Sequence, residues 1–444
     1  MQNMKINDKN QEWIGNIPKN WTFKKIKYVL AQRNEKNIPI KSKDILSLTA
    51  KQGVIPYTEK EGGGNKPKTD FSAYKLAYPG DIVMNSMNIL SGAVGLSKYF
   101  GCVSPVYYML YCSNDEDDIR YFYYVFANKA FQSSLLGIGN GILMKESENG
   151  TFNTIRMRIP IEKLNNMSIP YPKPEIQKAI ANFLDKKIGK IDEVSKKIQQ
   201  EITDLEKYRR SIITKAVTKG IDKNVPMKDS GIDWIGKIPK NWDLEKVKFL
   251  CTKLERGTTP DYTEAHCTKV INQATFSKGF FDDKNIKYST KNAQSSRGLV
   301  QKGDVLIAST GGGVLGKVFY FNQNGIYVAD SHVTILRTNN KYKSKLAYYI
   351  LSVNYELING LMAQGSTNQI ELQRDLLANF YLPVPDSKNQ KDIITFLDNK
   401  CSKIKQIINY KQHELNKLAH YKQAIIYEYV TGKKQVPKDE GAKA

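Results

Sequence analysis

The chain has 444 residues, of which 41% are hydrophobic and 25% are charged, as in a globular protein. This length exceeds what a single hydrophobic core usually supports, so we expect two globular domains; no run approaches the roughly 18 apolar residues that a membrane span needs. The 67 Lys and Arg residues outnumber the 44 Asp and Glu residues, which gives a net charge of +23. This surplus favours nucleic acid as a partner, although a genome rich in lysine codons would produce the same excess.

The cysteines and histidines indicate neither a disulfide framework nor a metal site. The five cysteines are odd in number and form no CxxC pair, so we expect a reducing, cytoplasmic environment. Of the four histidines, only His266 stands next to a cysteine, Cys267, which leaves a zinc site without ligands at usable spacing. The first nine residues lack an apolar signal core, so export is not expected.

A long internal repeat predicts the order of the elements along the chain. Residues 13–21 (WIGNIPKNW) recur as residues 234–242 (WIGKIPKNW), with eight of nine positions identical and an offset of 221. A second match, at an offset of 213, relates Gln177, 183–185 (FLD) and Tyr208 to Gln390, 396–398 (FLD) and Tyr421. A period near half the chain predicts two domains related by a pseudo-two-fold axis. We therefore predict an α+β chain with a globule over 1–174, a helical spacer over 175–222, a second globule over 223–385, a second helical spacer over 386–434 and a polar tail over 435–444.

The first globule alternates short β-like runs with glycine-rich turns, which predicts a mixed α/β domain with a twisted sheet. Gly80-Asp81 precedes the strand-like run 82–84, and residues 118–128 are predicted to form a helix that packs against the sheet. The aromatic run 121–124 (YFYY) could stack on bases, but core packing is favoured because duplex DNA keeps its bases stacked and out of reach.

The first spacer has apolar residues at alternating steps of three and four from Ile176 to Ile212, which is heptad spacing. Prolines at 170, 172 and 174 precede this segment and Gly220 follows it, as expected at helix boundaries. A helix of about 40 residues spans ~60 Å. Because its apolar stripe is narrow, it needs a partner helix.

The second globule carries one segment that resembles a catalytic loop. Gly303-Asp304 precedes the strand-like run 305–308, and residues 345–354 are predicted to be helical. Residues 311–317 (GGGVLGK) fit the first part of a phosphate-binding loop, but Val318 lacks the hydroxyl that magnesium requires, and 318–325 is typical of strand and turn instead of helix. No Gly-x-Ser-x-Gly or HExxH signature is present, so we predict no catalytic residue and no metal ligand.

The second spacer repeats the heptad pattern, with Lys411 interrupting the apolar stripe. Pro383 and Pro385 precede it and Gly432 follows it. The matching segment in the same chain is its nearest candidate partner, and the intervening globule favours antiparallel pairing. We therefore predict that the two long helices form an antiparallel coiled coil that holds the two globules apart.

Polar residues in loops are the candidates for reading DNA, since Arg, Asn, Gln, Ser and Thr supply the hydrogen bonds that discriminate base edges. Loops favour these residue types anyway, so any single one is more often a turn or capping residue. The candidates in the first globule are Lys66, Lys68, Asn85, Ser86, Asn88 and Arg156. Those in the second globule are Arg256, Thr258, Thr259, Arg297, Ser309, Thr310, Gln364, Ser366, Thr367, Asn368 and Gln369.

The repeated order of these motifs resembles the specificity subunit of Type I restriction-modification systems. The likeness rests on the openings at Trp13 and Trp234, the Gly-Asp strand starts at 80–81 and 303–304, and the Gln-x-x-Ile-x-x-Phe-Leu-Asp helix starts at Gln177 and Gln390. It covers nearly the whole chain. No single motif is specific, but their duplicated order is.

The resemblance implies a non-catalytic subunit with two target-recognition domains, each reading one half of an asymmetric, interrupted double-stranded DNA site. It implies that the helices set the gap and hold two modification (methyltransferase) subunits, and that a translocating restriction subunit joins them. In that family the methyl donor binds the modification subunit and ATP binds the restriction subunit, so no cofactor is expected on this chain. Since the two globules differ in sequence, unlike half-sites are expected.

Other functions stay open at this point. The same residues would fit the specificity subunit of another methyltransferase-based defence system. A nuclease or NTPase that uses residues 311–317 is less favoured, because the parts of that loop after Lys317 are missing. A coiled-coil scaffold without a nucleic-acid role is a third hypothesis.

Overall fold

The computed structural model of the protein describes residues 12–50, 52–60, 67–142, 156–222, 224–290, 293, 297–365 and 370–437, with the backbone only at 142 and 156. The chain forms two compact units, which we call unit 1 (Met1–Gln199 with His413–Ala444) and unit 2 (Gln200–Gln412). Each unit therefore contains one globule and one part of each long helix. This division differs from a simple succession of globule and helix, because each globule packs against helical residues that are distant in sequence.

Unit 1 begins with the strands and helices of the first globule. Its strands are β1 (Thr22–Lys25), β2 (Leu30–Arg33), β3 (Leu46–Thr49), β4 (Gly53–Pro56), β5 (Lys75–Ala77), β6 (Ile82–Asn85), β7 (Val94–Leu96), β8 (Gly101–Val103), β9 (Tyr107–Cys112), β10 (Asn140–Ile142), β11 (Arg156–Arg158) and β12 (Ser168–Tyr171). Its helices are α1 (Ile119–Ala127), α2 (Lys129–Ser134), α3 (Ile161–Asn165) and the first part of α4 (Pro174–Lys219).

The central sheet of unit 1 is antiparallel, in the order β2-β9-β6-β7, and is covered on both faces. Successive side chains of a strand point to opposite faces. In β6, Ile82 and Met84 accordingly join the core that contains α1 and α2, whereas Val83 joins a smaller core with Leu46 and Val103. Burial on both faces explains why this strand is a continuous apolar run without polar alternation.

Unit 2 contains the second globule. Its strands are β13 (Met227–Asp229), β14 (Lys237–Pro239), β15 (Asp243–Lys246), β16 (Lys253–Arg256), β17 (Tyr262–Thr263), β18 (Thr268–Ile271), β19 (Lys287–Ser289), β20 (Leu299–Val300), β21 (Val305–Ala308), β22 (Val318–Tyr320), β23 (Tyr327–Ala329), β24 (Val333–Arg337), β25 (Ala363–Gln364), β26 (Glu371–Leu372) and β27 (Tyr381–Val384). Its helices are α5 (Val247–Leu250), α6 (Lys341–Val353), α7 (Tyr355–Leu361), α8 (Arg374–Ala378), the second part of α4 and the first part of α9 (Ser387–Val430).

The central sheet of unit 2 has the same design, in the order β16-β24-β21-β22. Val305 and Ile307 of β21 face the core that contains α6, whereas Leu306 and Ala308 face a second core. That second core lies under a five-stranded sheet in the order β17-β19-β18-β23-β20. The strands described in unit 1 outside its central sheet form two-stranded sheets instead. The two globules thus have central sheets of the same design and differ in the structure that covers one face of the sheet.

The long helices pair antiparallel within each unit. In unit 1, the Phe183 ring of α4 lies 4.4 Å from the Tyr429 ring of α9, measured between centroids, and Asp192 accepts hydrogen bonds from Lys422 Nζ at 2.6 and 2.8 Å. Moving forward along α4 therefore means moving backward along α9. In unit 2, Lys411 Nζ donates to Glu201 Oε2 at 2.5 Å, which accounts for the lysine that interrupts the apolar stripe.

The repeated motifs lie where the globules join the long helices. Gln177 Nε2 donates to Pro172 O at 3.0 Å, and Gln390 Nε2 donates to Pro385 O at 2.7 Å, so each glutamine secures the proline-rich turn before its helix.

The tryptophans of the openings lie at the other helix end. Gly220 and Gly432, with φ of +76° and +69°, follow α4 and α9 in the left-handed conformation of a helix stop. Trp242 packs against Gly220 within unit 2, and Trp21 packs against Gly432 within unit 1. The openings and the helices repeat together because they contact one another.

These observations confirm the predicted fold class, two mixed α/β globules with two long, antiparallel helices. The predicted helix 118–128 is α1, whose first turn is capped by Asp118 accepting from Arg120 N at 2.9 Å. The predicted helix 345–354 begins earlier, at Lys341, because Asn340 caps it by accepting from Tyr342 N at 2.8 Å. The aromatic run 121–124 contributes to the core, since Tyr121 and Phe122 are fully buried. Within the described residues, no helix is long and apolar enough to cross a membrane, and no His, Cys, Asp and Glu cluster could hold a metal ion.

Candidate nucleic-acid interface

Three strands bring polar residues of unit 2 to one edge of its central sheet. β16 and β21 are both antiparallel to β24, so the carboxyl ends of β16 and β21 meet the amino end of β24. Arg256 ends β16, Thr310 follows β21 and His332 precedes β24. The hairpin β25-β26 lies beside them, because Thr310 forms a β-bridge with Glu371. We call Arg256, Gln273, Thr310, His332 and Glu371 the unit 2 polar edge.

Thr310 is the centre of one hydrogen-bonded group in this edge. Its hydroxyl lies 2.9 Å from His332 Nδ1 and 3.4 Å from Gln273 Oε1. A hydroxyl has one hydrogen and two lone pairs, so it can serve both neighbours. His332 is exposed and its backbone N–H donates to Asp330 Oδ1 at 2.9 Å, which fixes the position of the loop. The group therefore presents hydroxyl, amide and imidazole atoms from three separate segments.

Arg256 joins the hairpin to the sheet. Its Nε donates to Ser331 O at 2.9 Å, and its Nη1 donates to Glu371 Oε2 at 3.0 Å. The Arg256 side chain is 29% exposed and that of Glu371 is 53% exposed, so this ion pair is worth little as stabilisation but does orient both groups. Arg256, predicted as a reader, is therefore also a positioning residue for the hairpin.

Of the predicted run 364–369, the structure describes Gln364 and Gly365. Gln364 is exposed and stands opposite Glu371 in the β25-β26 pair. Ser366, Thr367, Asn368 and Gln369 lie outside the described residues. Because Glu371 pairs with both Gln364 and Thr310, Gln364 lies close to Thr310, from which it is distant in sequence.

Two predicted readers are internal. Ser86 and Ser309 are 1% and 0% exposed. Ser86 Oγ donates to Val106 O at 2.9 Å, and Ser309 Oγ lies 2.6 Å from Thr334 Oγ1. Their carbonyls accept from Ile159 N at 3.0 Å and from Leu372 N at 2.8 Å, so both serines hold a hairpin against the sheet. Neither serine is a candidate for contacting DNA, because a buried, hydrogen-bonded hydroxyl cannot reach it.

The remaining predicted readers of unit 2 form a second group beside Arg256. Gly257 and Gly298 pack against each other, which brings Thr258 and Thr259 near Arg297. Thr259 and Arg297 are exposed, and Lys253 Nζ donates to Arg297 O at 2.6 Å. Thr258 N donates to Ala329 O at 3.1 Å, which ties this loop to β23.

A buried carboxyl group underlies this region. Asp330 is 4% exposed, and burial raises the pKa of its carboxyl above the usual value, opposed by the hydrogen bond from His332 N and by the charges of Lys287 and Arg256.

In unit 1, the corresponding edge carries Asn85 and Asn88. Asn85 ends β6, and its Oδ1 accepts from Met87 N at 3.0 Å, which shapes the following loop. Asn88 is exposed in that loop. Lys68 is exposed in a different segment, before β5, where its backbone N–H donates to Tyr74 OH at 2.7 Å. Lys66 and the Arg156 side chain lie outside the described residues.

The sequence was compared with models of known protein families. The model described as "Type I restriction modification DNA specificity domain" matches residues 18–204 and again 239–417, which is most of both globules and both helices. The chain belongs to the Type I restriction-modification DNA specificity family. The two matches correspond to the two copies of the internal repeat, and they support a function as a DNA specificity subunit.

A solved structure shares the fold of this specificity subunit, and two others show a weaker similarity to it. A chain from a study of complex assembly and conformational transition of the type I R-M system is 14% identical, with a TM-score of 0.63, covering 93% of this chain and 98% of that one. The HsdS subunit from Thermoanaerobacter tengcongensis is also 14% identical, with a TM-score of 0.43 and coverages of 94% and 98%. The S subunit from M. genitalium is 15% identical, with a TM-score of 0.40 and coverages of 97% and 99%.

The glycine-rich segment 311–317 of this specificity subunit is a loop between two antiparallel strands. Ala308 N donates to Lys317 O at 2.9 Å, and Gly316 N donates to Ala308 O at 2.8 Å, so the loop returns the chain directly into β22. This confirms the predicted strand after Lys317. A phosphate-binding loop needs a helix amino terminus at that point, so the segment lacks the geometry for a nucleotide.

Sequence reasoning missed Gln273, His332 and Glu371 as members of the edge. His332 could have been suspected as a polar residue directly before a strand, in the same kind of position as the chosen Arg256 after one. Glu371 carries the wrong charge for a DNA contact, and only its ion pair with Arg256 shows its role. Gln273 lies in a short 3-10 turn whose neighbours in space are not adjacent in sequence.

Proposed function

We propose that this specificity subunit reads a bipartite double-stranded DNA site, one half with each globule, and that it carries out no catalysis itself. The unit 2 polar edge supports this proposal most strongly, because it gathers base-reading side chains from four segments onto one edge of a rigid sheet. The net charge of +23 adds the attraction to phosphate that any DNA-binding surface needs. Its working place is the cytoplasm.

The chemistry of the edge suits readout of base edges. Amides, hydroxyls and guanidinium groups form the hydrogen bonds that distinguish base pairs in the major groove. Thr310 and Gln364 present such groups, and His332 adds an imidazole. We propose Ser366, Thr367, Asn368 and Gln369 as further contacts on the basis of the sequence alone. Thr259 and Arg297, also exposed, extend this contact set. Unit 1 would use Asn85, Asn88, Lys68, Lys66 and Arg156.

The two edges are different, so the two half-sites should be different. Asn88 follows β6 in unit 1, whereas the matching loop of unit 2 is the glycine-rich segment 311–317. The equivalent buried serines, Ser86 and Ser309, support loops of unlike chemistry at equivalent places. A subunit with unlike edges would read an asymmetric sequence.

The partners follow from family membership. We propose that the chain assembles with modification (methyltransferase) subunits, two in number, and with a restriction subunit. The methyl donor and ATP would bind those subunits, so no cofactor is proposed for this chain. The two long helices would set the gap between the half-sites. The specificity subunit of a related methyltransferase-based system would share every one of these features.

A reconstituted complex with its modification subunits tests the reading of DNA. Methylation mapping by long-read sequencing defines the site, and fluorescence anisotropy with duplexes at several salt concentrations measures the affinity. His332→Ala and Thr310→Ala should each cost about 1–3 kcal/mol at one base pair of one half-site. Asn88→Ala is the matched variant and should change only the other half-site.

The contrary outcomes are specific. Binding without sequence preference, or variants of both edges that affect the same half-site, would disprove the assignment of one half-site to each globule. A gap that stays constant when about four residues are added to the helices would disprove the spacer role.

A further inference from the structure

The two globules each expose one aromatic ring at the same place in the repeat. Tyr28 is 67% exposed and Phe249 is 72% exposed. They are separated by 221 residues, the offset of the repeated openings. Aromatic side chains are usually more buried than this.

The local structure explains how each ring is presented. Both residues lie in a short helical turn, residues 26–28 in unit 1 and α5 in unit 2, directly after β1 and β15. Ile26 and Val247 are fully buried by the turn and anchor it in the core. The ring two positions later then faces outward. The preceding strands pair with β12 and β27, which lead into the long helices, so the turns are firmly supported.

The charges around the two rings also match. Lys27 Nζ lies 5.2 Å from the centroid of the Tyr28 ring, and Lys248 Nζ lies 5.2 Å from the centroid of the Phe249 ring. Lys25 and Lys246 precede each turn at equivalent positions. Each ring is therefore an apolar patch with a cationic border.

The chemistry favours a protein over a DNA backbone as the ligand. Phosphate contacts are made by hydrogen-bond donors. The ring is common to Tyr28 and Phe249, but the hydroxyl is not, so the shared feature is an apolar surface. The globules differ at their DNA-reading edges and agree here, which indicates one ligand that both units bind.

A second observation comes from the helices. Val194 of α4 and Ile407 of α9 are 46% and 45% exposed, and Tyr208 and Tyr421 are 56% and 57% exposed. Each pair is separated by 213 residues, the offset of the helical repeat. Unit 1 therefore exposes Tyr28, Val194 and Tyr421, and unit 2 exposes the equivalent Phe249, Ile407 and Tyr208. Each unit offers the same three apolar positions.

We infer that Tyr28 and Phe249 are anchor residues for two copies of one protein partner, the modification subunit. The partner would contribute an apolar pocket for the ring and carboxylates for the neighbouring lysines. This inference rests on the proposed function and goes beyond it, because it extends the docking surface from the long helices to the openings of both globules. Aromatic rings that become fully buried are the residues that dominate binding at interfaces.

Native mass spectrometry of the full chain with its modification subunit gives the test. We expect two subunits per wild-type chain. Tyr28→Ala and Phe249→Ala should each reduce the affinity of one site by about tenfold or more, leaving one subunit bound near the dissociation constant, and the double variant should lose both. Tyr28→Phe should bind like the wild type, since it keeps the ring. Phe280→Ala, which removes an exposed ring outside the repeat, is the matched control.

The outcomes separate the two proposals. A wild-type chain that binds no modification subunit refutes the proposed function and this inference with it. A wild-type chain that binds two subunits, while Tyr28→Ala and Phe249→Ala bind them equally well with unchanged melting temperatures, refutes the inference alone. Loss of DNA affinity in these variants without loss of subunits would instead assign the rings to DNA. A loss of DNA affinity in Tyr28→Phe, with both subunits still bound, would do the same.

Discussion

Unit 1 and unit 2 each have a buried carboxylate at the equivalent position, and it is paired with an arginine from a different strand in each unit. In unit 1, Asp81 precedes β6 and accepts from Arg33 of β2 at 2.9 and 3.2 Å. In unit 2, the equivalent Asp304 accepts from Arg337 of β24 at 2.7 Å for both bonds. The Asp needs a bidentate cation because it is almost fully buried. In unit 2 the adjacent strand supplies it, whereas in unit 1 it comes from β2, two places away from β6 in the sheet. Both units therefore preserve an arginine partner for the carboxylate, but not the strand that supplies it.

The junction with the long helices differs from the sheets in being preserved in detail. Tyr124 OH donates to Asp185 at 2.6 Å in unit 1, and Tyr349 OH donates to Asp398 at 2.8 Å in unit 2. A cation joins each carboxylate, Arg120 in unit 1 and Lys345 in unit 2. Contacts that position the helices are therefore constrained more tightly than contacts that only stabilise a sheet.

The largest expected effect comes from removing the buried carboxylate. Asp81→Ala and Asp304→Ala should each destabilise their own unit by about 3 kcal/mol, because a largely buried guanidinium loses its partner. Hydrogen exchange measured by mass spectrometry resolves the two units separately. If the effect depends on the pair, Asp304→Ala combined with Arg337→Ala should cost less than the sum of the single variants. Equal losses in both units from one substitution would break the comparison.

A glycine without a counterpart in unit 1 should give the next largest effect. A Cβ at Gly257 would lie 2.1 Å from Ala329 O and 2.2 Å from Asp330 O. Gly257→Ala should therefore cost about 1–3 kcal/mol, since the backbone itself must shift. Gly360 has open space in α7, so Gly360→Ala is a control that should be neutral or stabilising. Thermal melting of both variants decides; a neutral Gly257→Ala would contradict the close packing.

The tyrosines of the helix junction should behave alike in both units. Tyr124→Phe and Tyr349→Phe each remove one hydrogen bond to a partly exposed carboxylate, with an expected cost of about 1 kcal/mol. Urea unfolding followed by hydrogen exchange measures each unit. A cost confined to one unit would show that the preserved bond is not equally important in both.

The pH dependence of the same bonds has a defined sign. Burial, and then the hydrogen bond to the carboxylate, raise the pKa of Tyr124 and Tyr349 well above the usual tyrosine value. Their contribution to stability is complete below the unfolded-state pKa of about 10 and is lost as the pH rises from there toward the folded-state value. The double Phe variant should therefore lose less stability than the wild type between about pH 9 and about pH 11, a range that brackets the unfolded-state pKa. A parallel decline in both proteins would contradict this assignment.

The smallest expected effect comes from removing an ion pair between the two long helices in either unit. Lys422 pairs with Asp192 in unit 1 and Lys411 pairs with Glu201 in unit 2. Both acidic side chains are more than half exposed, so Lys422→Ala and Lys411→Ala should each cost about 0.2–1 kcal/mol, and less in high salt. Lys417→Ala on the same helix is the control. A cost that does not fall with salt would exclude an electrostatic origin.

Local signals in the sequence predicted the elements, and long-range contacts set what it could not predict. Heptad spacing between Ile176 and Ile212 predicts a long helix, because its period is a local property. The strands Tyr262–Thr263 and Leu299–Val300 are too short to show a period, so the five-stranded sheet of unit 2 was not foreseen. The partner of Asp304 is 33 residues away, and no local pattern selects Arg337 over the alternatives.

The candidate site shows the same division. Arg256, Thr310 and Gln364 are polar loop or strand-end residues that the sequence singles out, and the antiparallel register brings them together. Ser86 and Ser309 are polar residues of the same kind, but they are buried in the globules. Their equivalence was visible, since each follows the Gly-Asp aspartate by five residues, Asp81 and Asp304. A repeated position with one residue type indicates a structural role more often than a reader that differs between half-sites.

The division of α9 between the units bears on the order of folding during synthesis. Ile180, Phe183 and Leu184 of α4 share one core with Ile425 and Tyr429 of α9, whereas all of Gln200–Gln412 lies between them in the chain. On the ribosome, the first globule must therefore emerge with an apolar face uncovered and wait while the whole second unit is translated. Nascent chains with such an exposed apolar face depend on chaperones or on prompt capture by an assembly partner. Premature termination in the last part of α9, after Gln412, should therefore leave the first globule, not the second, prone to aggregation.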